Sequence, residues 1–344
     1  MKIILGITIF CLVLFIYLHL IFHLKTSDDL EVYTIDHPSK EKLEDICNLR
    51  QPVTFEYQLD DPNLEREQIK RKFGAFDIRV RDVKDSSNDY IFLTFDTSTS
   101  LFANDNESKY FTENNQDFLE ESGLIKVLKQ NDAFLRPPLV SNISYDILYG
   151  SENATTPFRY ELNHRNFFYV NKGTVNIKLS PPKSGKYLYS KKDYENFEFR
   201  SPINPWDVQK QYQQDFNKIK CLDMIIHEGA IIYIPAYWWY SIKFNNTTEL
   251  ISMKYKTYMN NIAILPELVM NLLQNQNVKI RSVENLVDTF NKSNSNIVPT
   301  SDVDIEVDVD VGTTDISDLK IDSDVDNTKI LKNEKIENKK IKTT

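Results

Sequence analysis

The first residues of the chain form an uninterrupted apolar run. From Ile3 to Leu24 the sequence reads IILGITIFCLVLFIYLHLIFHL, 22 residues without Lys, Arg, Asp or Glu. As an α-helix this run would be about 33 Å long, enough to cross a hydrocarbon core of roughly 30 Å. A soluble core helix would need a polar face. A cleaved signal peptide has a shorter apolar core that ends in small residues, whereas this run ends in His23, Leu24 and Lys25. The sequence therefore predicts a membrane anchor over residues 1–25.

The side of the membrane that the rest of the chain occupies stays open. Lys2 favours a cytoplasmic N-terminus, but Lys25 lies just beyond the other end of the run. Asn-x-Ser/Thr sequons raise the odds of a lumenal domain only slightly, because an Asn-rich chain contains several by chance. They begin at Asn106, Asn142, Asn153, Asn245, Asn246 and Asn291.

Charge and cysteine content exclude several classes of protein. The net charge of −9 argues against nucleic acid as a main partner, because phosphate binding needs a clustered basic surface. Three cysteines exclude a disulfide-rich scaffold and a Cys-based zinc cluster. Cys11 lies in the apolar run, which leaves Cys47 and Cys221 as the one pair that could meet.

Alternating apolar and polar residues predict short strands through the middle of the chain, with helices before and after them. Asn171-Lys172-Gly173 predicts a hairpin turn between two of these strands. The remaining predicted strands cover about 51–59, 73–83, 89–98, 230–244 and 250–260. Helices are predicted over 39–48 with Ser39 as N-cap, over 115–135, over 204–219 with Asn204 as N-cap, and twice within 261–291.

The segment 293–344 has a different composition from the rest. Its first part is acidic, its last part is basic, and it has no Trp, Tyr or Phe. This composition predicts a disordered tail. Its alternating aspartates lack the glycine turn of an ordered calcium loop, so calcium binding is not expected.

Two longer motifs carry a resemblance to a known family. The segments TPFRYELNHRNFFYVNKGTVNIKLSPP (156–182) and GAIIYIPAYWWYSIKF (229–244) resemble the cupin-like, JmjC-type proteins, and LEVYTIDHPSKEKLEDICNLRQPVTF (30–55) extends the likeness. The resemblance covers about 30–274, with a fainter likeness to cupin-like proteins of large DNA viruses. It implies a mainly β fold with flanking helices, a double-stranded β-helix (jelly-roll) barrel. We expect the domain to span 30–292 and its barrel core about 143–259.

The resemblance also implies where a metal site would lie. Many members of the family are oxygenases that depend on iron and 2-oxoglutarate, with a His-x-Asp/Glu pair and a distal His as ligands. These positions fall on Arg159, Glu161 and Tyr240, and a lysine that binds the co-substrate would fall near Val175. Arg159 offers no lone pair to a metal. We therefore expect no cofactor, and Fe(II) with 2-oxoglutarate only if an unusual site exists.

Other uses of these residues stay open. An alternative metal site could draw on Glu161 together with His164, His227 or His37. Arg159 and Glu161 lie two apart and share a strand face, so they form either an anion-binding pocket or, as favoured here, a structural ion pair.

Further expectations concern neighbouring residues. Tyr240 is expected to donate its hydroxyl to Glu161. Lys178 is a candidate for binding an acidic ligand, although alternation favours an exposed position. Trp238 and Trp239 are expected to pack on opposite sides of one strand.

Two functions from different classes remain. The favoured one is a membrane-anchored binding or assembly module without the iron site, with an unknown protein or a small anionic ligand as partner. The alternative is an active oxygenase of the hydroxylase or demethylase type with a non-standard metal site. The C-terminal helices are expected either to form a homodimer or to pack on their own barrel.

Overall fold

Helices lie before, between and after the strands. The computed structural model describes residues 2–59, 61–84, 89–245 and 248–278. The helices are α1 (Lys2–Leu24), α2 (Lys40–Asn48), α3 (Arg66–Phe73), α4 (Phe95–Asn104), α5 (Gln116–Glu121), α6 (Ile125–Asn131), α7 (Gln213–Phe216) and α8 (Tyr258–Ala263). Residues 265–278 form a further helix directly after α8.

The strands follow one another from the end of α1 to α8. They are β1 (Tyr33–Ile35), β2 (Val53–Glu56), β3 (Asp77–Asp82), β4 (Ile91–Thr94), β5 (Tyr110–Thr112), β6 (Val140–Gly150), β7 (Arg159–Tyr160), β8 (Arg165–Lys172), β9 (Thr174–Ser180), β10 (Lys191–Asp193), β11 (Glu198–Arg200), β12 (Leu222–His227), β13 (Ala230–Pro235), β14 (Trp239–Phe244) and β15 (Glu249–Thr257).

Two sheets pack face to face as a jelly-roll barrel. Among the described residues, nine strands form the first sheet in the order β1-β2-β13-β8-β15-β6-β5-β3-β4, and six form the second in the order β10-β11-β7-β14-β9-β12. Inward side chains of both sheets, among them Phe168 and Ile232 of the first and Ile177 and Tyr240 of the second, share one buried cluster. The outer face of the first sheet packs on the helices. The predicted double-stranded β-helix fold with flanking helices is confirmed.

The inside of the barrel changes from apolar to polar along its length. Val170 and Val175 flank the β8–β9 hairpin and belong to the apolar cluster. Toward the other end, Asn166 of β8 pairs with Lys254 of β15 on the inward face. Because buried polar groups need partners, this end is where a functional site is expected.

The predicted hairpin between β8 and β9 is confirmed at Lys172 and Gly173. Gly173 has a φ of 78°, a left-handed conformation that a glycine adopts without steric cost. The helix N-cap predicted at Ser39 is also confirmed, since its side chain accepts a hydrogen bond from the backbone N–H of Lys42.

Some predicted elements are wrong. The helix predicted over 204–219 is reduced to a 3-10 turn (Lys210–Tyr212) and α7. Its expected N-cap, Asn204, instead accepts from the backbone N–H of Trp206, which is in turn tied to β14 by a hydrogen bond to Ser241. The strand predicted over 89–98 ends at Thr94, and α4 begins at the next residue, Phe95. The last predicted helix and the tail lie outside the described residues.

The adjacent tryptophans pack on opposite sides of the strand, as expected. Trp238 is buried in the core inside the barrel. Trp239 is buried in a separate cluster outside it, against Phe158 and Ile203. Both residues therefore serve packing.

The last turn of α1 packs on the domain, while residues up to Leu18 are exposed. Arg50 donates from Nη1 to the His23 carbonyl oxygen at 3.1 Å, and its guanidinium lies 4.5 Å from the centroid of the Phe22 ring. The His23 ring packs edge-on against His164 at 5.0 Å. Within the described residues α1 is the one helix long and apolar enough to cross a membrane, a property that a signal sequence shares.

Candidate functional site

The residues assigned to the metal positions do come together in the barrel. Arg159 on β7 lies directly opposite Tyr240 on β14. Glu161 follows β7 immediately and lies on the same side of the chain, because strand residues alternate faces. Tyr160, between them, points the other way and stacks on Phe199.

Glu161 is held by two strands. It accepts a hydrogen bond from the Tyr240 hydroxyl at 3.0 Å, which is the donation expected from the sequence. It also accepts one at 2.8 Å from Lys254 on β15. Asn163 donates a longer bond of 3.3 Å to the other carboxylate oxygen. Glu161 is thus a fully engaged carboxylate.

Arg159 has different partners from the one expected. The ion pair predicted between Arg159 and Glu161 is replaced by pairs with Glu113, just after β5, and with Glu198 of β11, the latter at 3.2 Å. Arg81 of β3 bridges the same two carboxylates at 2.8 and 3.1 Å. Arg159 therefore joins distant parts of the chain instead of neutralising its neighbour on the strand.

Three cations and three carboxylates thus form one buried charge network, which we define as Arg81, Arg159, Lys254, Glu113, Glu161 and Glu198. Their side chains are at most 20% exposed. Such a set satisfies the rule that buried charges are paired. The formal charges of these six groups sum to zero.

The pKa values follow from this pairing. Burial alone would raise the pKa of Glu113, but Arg159 and Arg81 lower it to about 2. Burial likewise opposes ionisation of Glu161, yet Lys254 and Arg159 hold its pKa below the usual range. Burial would lower the pKa of Lys254, and Glu161 raises it instead. These groups are charged at neutral pH because they face one another.

Little space remains between these side chains. The cavity beside them, lined by Arg159, Glu161, Glu198 and Lys254 among others, has a volume of about 80 Å³. Pockets for small molecules usually measure roughly 300–1,000 Å³. The barrel end is therefore filled by its own charged groups.

These residues do not fit the ferrous site that the fold suggests. A 2-His-1-carboxylate site needs two imidazoles, and here a guanidinium and a phenol take their places. The one remaining carboxylate, Glu161, is already bound to an ammonium group at 2.8 Å. The position of the co-substrate lysine holds Val175, which is fully buried in the apolar core.

The histidines proposed for an alternative site lie apart. His164 is buried beside Arg50 and His23 at the end of α1. His227 is exposed on β12, and His37 pairs with Glu56 on the surface at 3.6 Å. Over residues 2–59, 61–84, 89–245 and 248–278, no group of three or more His, Cys, Asp or Glu side chains is placed to hold a metal ion.

Lys178 does not reach the barrel interior. It pairs across β14 with Ser241, so it points away from the side occupied by Tyr240. Its ammonium group lies 5.0 Å from the Trp206 ring and 3.4 Å from Asp223. Lys178 therefore belongs to the outer face of the second sheet.

That outer face borders a larger cavity, the basic cleft. It has a volume of about 760 Å³ and includes Trp206 and Asp207 in its lining. The basic side chains that line it are Lys84, Lys191, Arg200 and Lys243. Its size falls in the usual range for ligand pockets. Among the described residues that line it, Asp207 is the one acidic residue.

Sequence reasoning missed Glu113, Glu198, Arg81 and Lys254. The strand alternation of ISMKYK, which places Ser252 and Lys254 on one face, was a usable signal that a lysine points inward. The other three lie on β3, after β5 and on β11, outside the segments that carry the family motifs, and no local pattern marks them.

One comparison with known proteins bears on this geometry. The sequence model of the family described as "Cupin-like domain" matches residues 33–261, which is 229 of the 344 residues. The match spans β1 to α8 and includes every member of the buried charge network. It confirms the resemblance drawn from the motifs.

Proposed function

Because the chain belongs to the cupin-like domain family, we propose that it is a membrane-anchored cupin-like protein that lacks the family's iron site and acts as a binding module. The single observation that carries this proposal is the buried charge network. Arg159 and Tyr240 stand where imidazoles would be needed, and Lys254 engages Glu161.

Charge balance supports the loss of the metal. A divalent cation near Glu161 would face Arg159 and Lys254, two cations that are themselves buried, and like charges repel strongly where water is excluded. Removing them would leave Glu161 without its ammonium partner, and Glu113 and Glu198 with Arg81 alone. The network is a stable substitute for a metal and not a vacant site.

Membrane anchoring by α1 supports the other half of the proposal. The helix is exposed through Leu18 and carries no Asp, Glu or Arg. In water, an exposed helix of this composition would keep a large apolar surface hydrated, which is unfavourable. In a bilayer the same surface contacts lipid.

The basic cleft supports a small anionic ligand as the partner. Lys243 and Arg200 are half-buried in its lining, and Trp206 offers an aromatic face beside them. Phosphate or carboxylate groups match such a lining through charge-assisted hydrogen bonds. The net charge of −9 makes a nucleic acid an unsuitable occupant.

The proposal is tested by metal content and turnover. The full chain, purified in detergent and incubated with Fe(II), ascorbate and 2-oxoglutarate, should retain substoichiometric iron and form no succinate above the buffer control. One equivalent of iron together with succinate formation would overturn the proposal and support the alternative, an oxygenase with a non-standard site.

A second measurement tests the ligand. Inorganic phosphate and citrate should raise the melting temperature of the full chain, and Lys243→Gln should reduce that rise. Lys129→Gln, an exposed lysine on α6, serves as the matched control. Equal responses of the two variants would remove the cleft as the binding site.

A further inference from the structure

Exposed apolar side chains cluster around the start of α8. Leu139 is 76% exposed, Tyr258 is 62% exposed and Ile262 is 46% exposed. Leu139 and Tyr258 are neighbours, because the Tyr258 backbone N–H donates to the Leu139 carbonyl oxygen at 3.3 Å. Contiguous exposed apolar surface of this kind marks an interaction site more often than scattered single residues do. We call these three residues the α8 patch.

The conformation of Leu139 supports a role outside the fold. It follows two prolines and has a φ of 54°, in the left-handed region. Such a backbone is unfavourable for a bulky residue. Because its side chain is 76% exposed, packing of that side chain within the domain does not offset the cost.

The α8 patch lies beside the end of α1. A cavity of about 440 Å³ is lined by Leu18 and Phe22 of α1, by Leu139, and by Met259 of α8. Leu18 is 57% exposed and is the last residue of α1 before the turn that packs on the domain. Leu139 therefore lies beside the point at which α1 leaves the domain.

We propose that the α8 patch is a second membrane contact, which inserts Leu139, Tyr258 and Ile262 into the interfacial layer of the same bilayer that α1 spans. The inference rests on the membrane anchoring of α1 proposed above. Tyrosine is favoured at the headgroup level, where its ring is apolar and its hydroxyl wet. Two attachments in place of one fix the orientation of the barrel on the membrane.

Continuity with α1 favours lipid over a second copy of the chain as the occupant. Lipid already contacts Leu18, and Leu139 lines the same cavity. A second copy of the chain that bound the α8 patch would have to fit between the domain and the bilayer surface. The exposed face of the helix 265–278, farther from α1 along the chain, is the place where another copy could bind without that obstacle.

A probe attached to single cysteines tests the contact. In a Cys11→Ser, Cys221→Ser background, Leu139→Cys or Ile262→Cys is labelled with the fluorophore NBD, and the full chain is reconstituted into phosphatidylcholine vesicles with or without doxyl-labelled lipid. Cys47 is buried, and burial raises the pKa of its thiol to about 12, so it reacts slowly. A probe at an insertion depth of roughly 5–10 Å should be quenched by shallow doxyl groups.

Ile225→Cys is the matched control. Ile225 is 59% exposed on β12 and pairs with Asn176, near the start of β9. Because β9 begins at the hairpin end of β8, this position lies toward the end of the barrel away from α1. Its probe should show no quenching.

Native Cys11 separates the two proposals. Cys11 lies near the middle of α1, so it is labelled in a Cys221→Ser chain and probed with lipid that carries its doxyl group deep in the acyl chain. Quenching there reports whether α1 is in the bilayer. Quenching at Cys11, Leu139 and Ile262 but not at Ile225 supports the membrane contact. Quenching at Cys11 alone overturns it and leaves the anchor intact. Probes at Leu139 and Ile262 that are shielded but unquenched, together with disulfide crosslinks between copies of the unlabelled cysteine variants, overturn it in favour of a dimer. No quenching at Cys11 overturns the anchor and the contact with it.

Discussion

Replacing Arg159 by methionine should destabilise the barrel far more than the loss of an ordinary salt bridge. The substitution keeps an unbranched apolar side chain but removes a guanidinium that pairs with both Glu113 and Glu198. Glu113 is 2% exposed. In the variant, Glu113 would keep Arg81 as a cationic partner but lose the second cation that compensates its charge.

The magnitude follows from this geometry. Breaking a buried pair by removing one partner costs about 3–5 kcal/mol, because a charge is left without compensation. Since Arg81 still bridges both carboxylates, we expect the lower end, about 3 kcal/mol in the free energy of unfolding. For a domain of this size that corresponds to a fall of roughly 6–12 °C in melting temperature.

Thermal and urea unfolding of the full chain in detergent, followed by circular dichroism, measure this loss. Arg79→Met is the matched control, because Arg79 pairs with Asp117 where the side chains are 35% and 68% exposed; an exposed pair contributes at most about 1 kcal/mol. Adding Glu113→Gln to Arg159→Met should recover part of the loss, which is the signature of coupled residues. Equal effects of the Arg159 and Arg79 variants would refute a buried charge network.

Two further predictions concern pH. Lys254→Met removes the cation that holds the pKa of Glu161 down, so Glu161 of the variant should take up its proton at a higher pH than in the wild type. The variant should therefore be less stable than the wild type at pH 7, and the difference should shrink as the pH falls and Glu161 becomes protonated. Unfolding curves at pH 7 and pH 4 check this, and a constant difference would contradict it. Burial, Arg165, Arg50 and His23 hold the pKa of His164 well below its usual value. Below about pH 6.5 this histidine takes up a proton in the unfolded chain but stays neutral in the folded chain. The free energy of unfolding therefore falls by about 1.4 kcal/mol for each pH unit below 6.5. Urea unfolding at pH 7.5 and pH 5.5 should show a smaller loss for His164→Gln than for the wild type, and equal losses would contradict this assignment.

Local patterns in the sequence, together with the family resemblance, were sufficient to predict the barrel and one contact of its site. The hairpin at Gly173 follows from turn chemistry, and the bond between Tyr240 and Glu161 follows from strand alternation combined with the family's register. Neither depends on where distant loops lie.

The partners of Arg159 could not be predicted in this way. Glu113 is 46 residues away in sequence, and its side chain enters the barrel only because β5 pairs with β6 in the first sheet. The ion pair expected between Arg159 and Glu161 was the local solution, and tertiary structure supplied a better one with bridging Arg81. The failed helix after Asn204 has the same cause, since Trp206 is tied to Ser241 on a remote strand.

Metal affinity tests the central claim most directly. Mn(II), a common substitute for Fe(II) at oxygen and nitrogen ligands, is titrated into the full chain in detergent, and free Mn(II) is followed by electron paramagnetic resonance. If the buried charge network occupies the ligand positions, the signal of free Mn(II) will rise as in buffer alone, for the wild type and for Glu161→Gln alike. Uptake of one equivalent by the wild type, abolished in Glu161→Gln, would contradict the account.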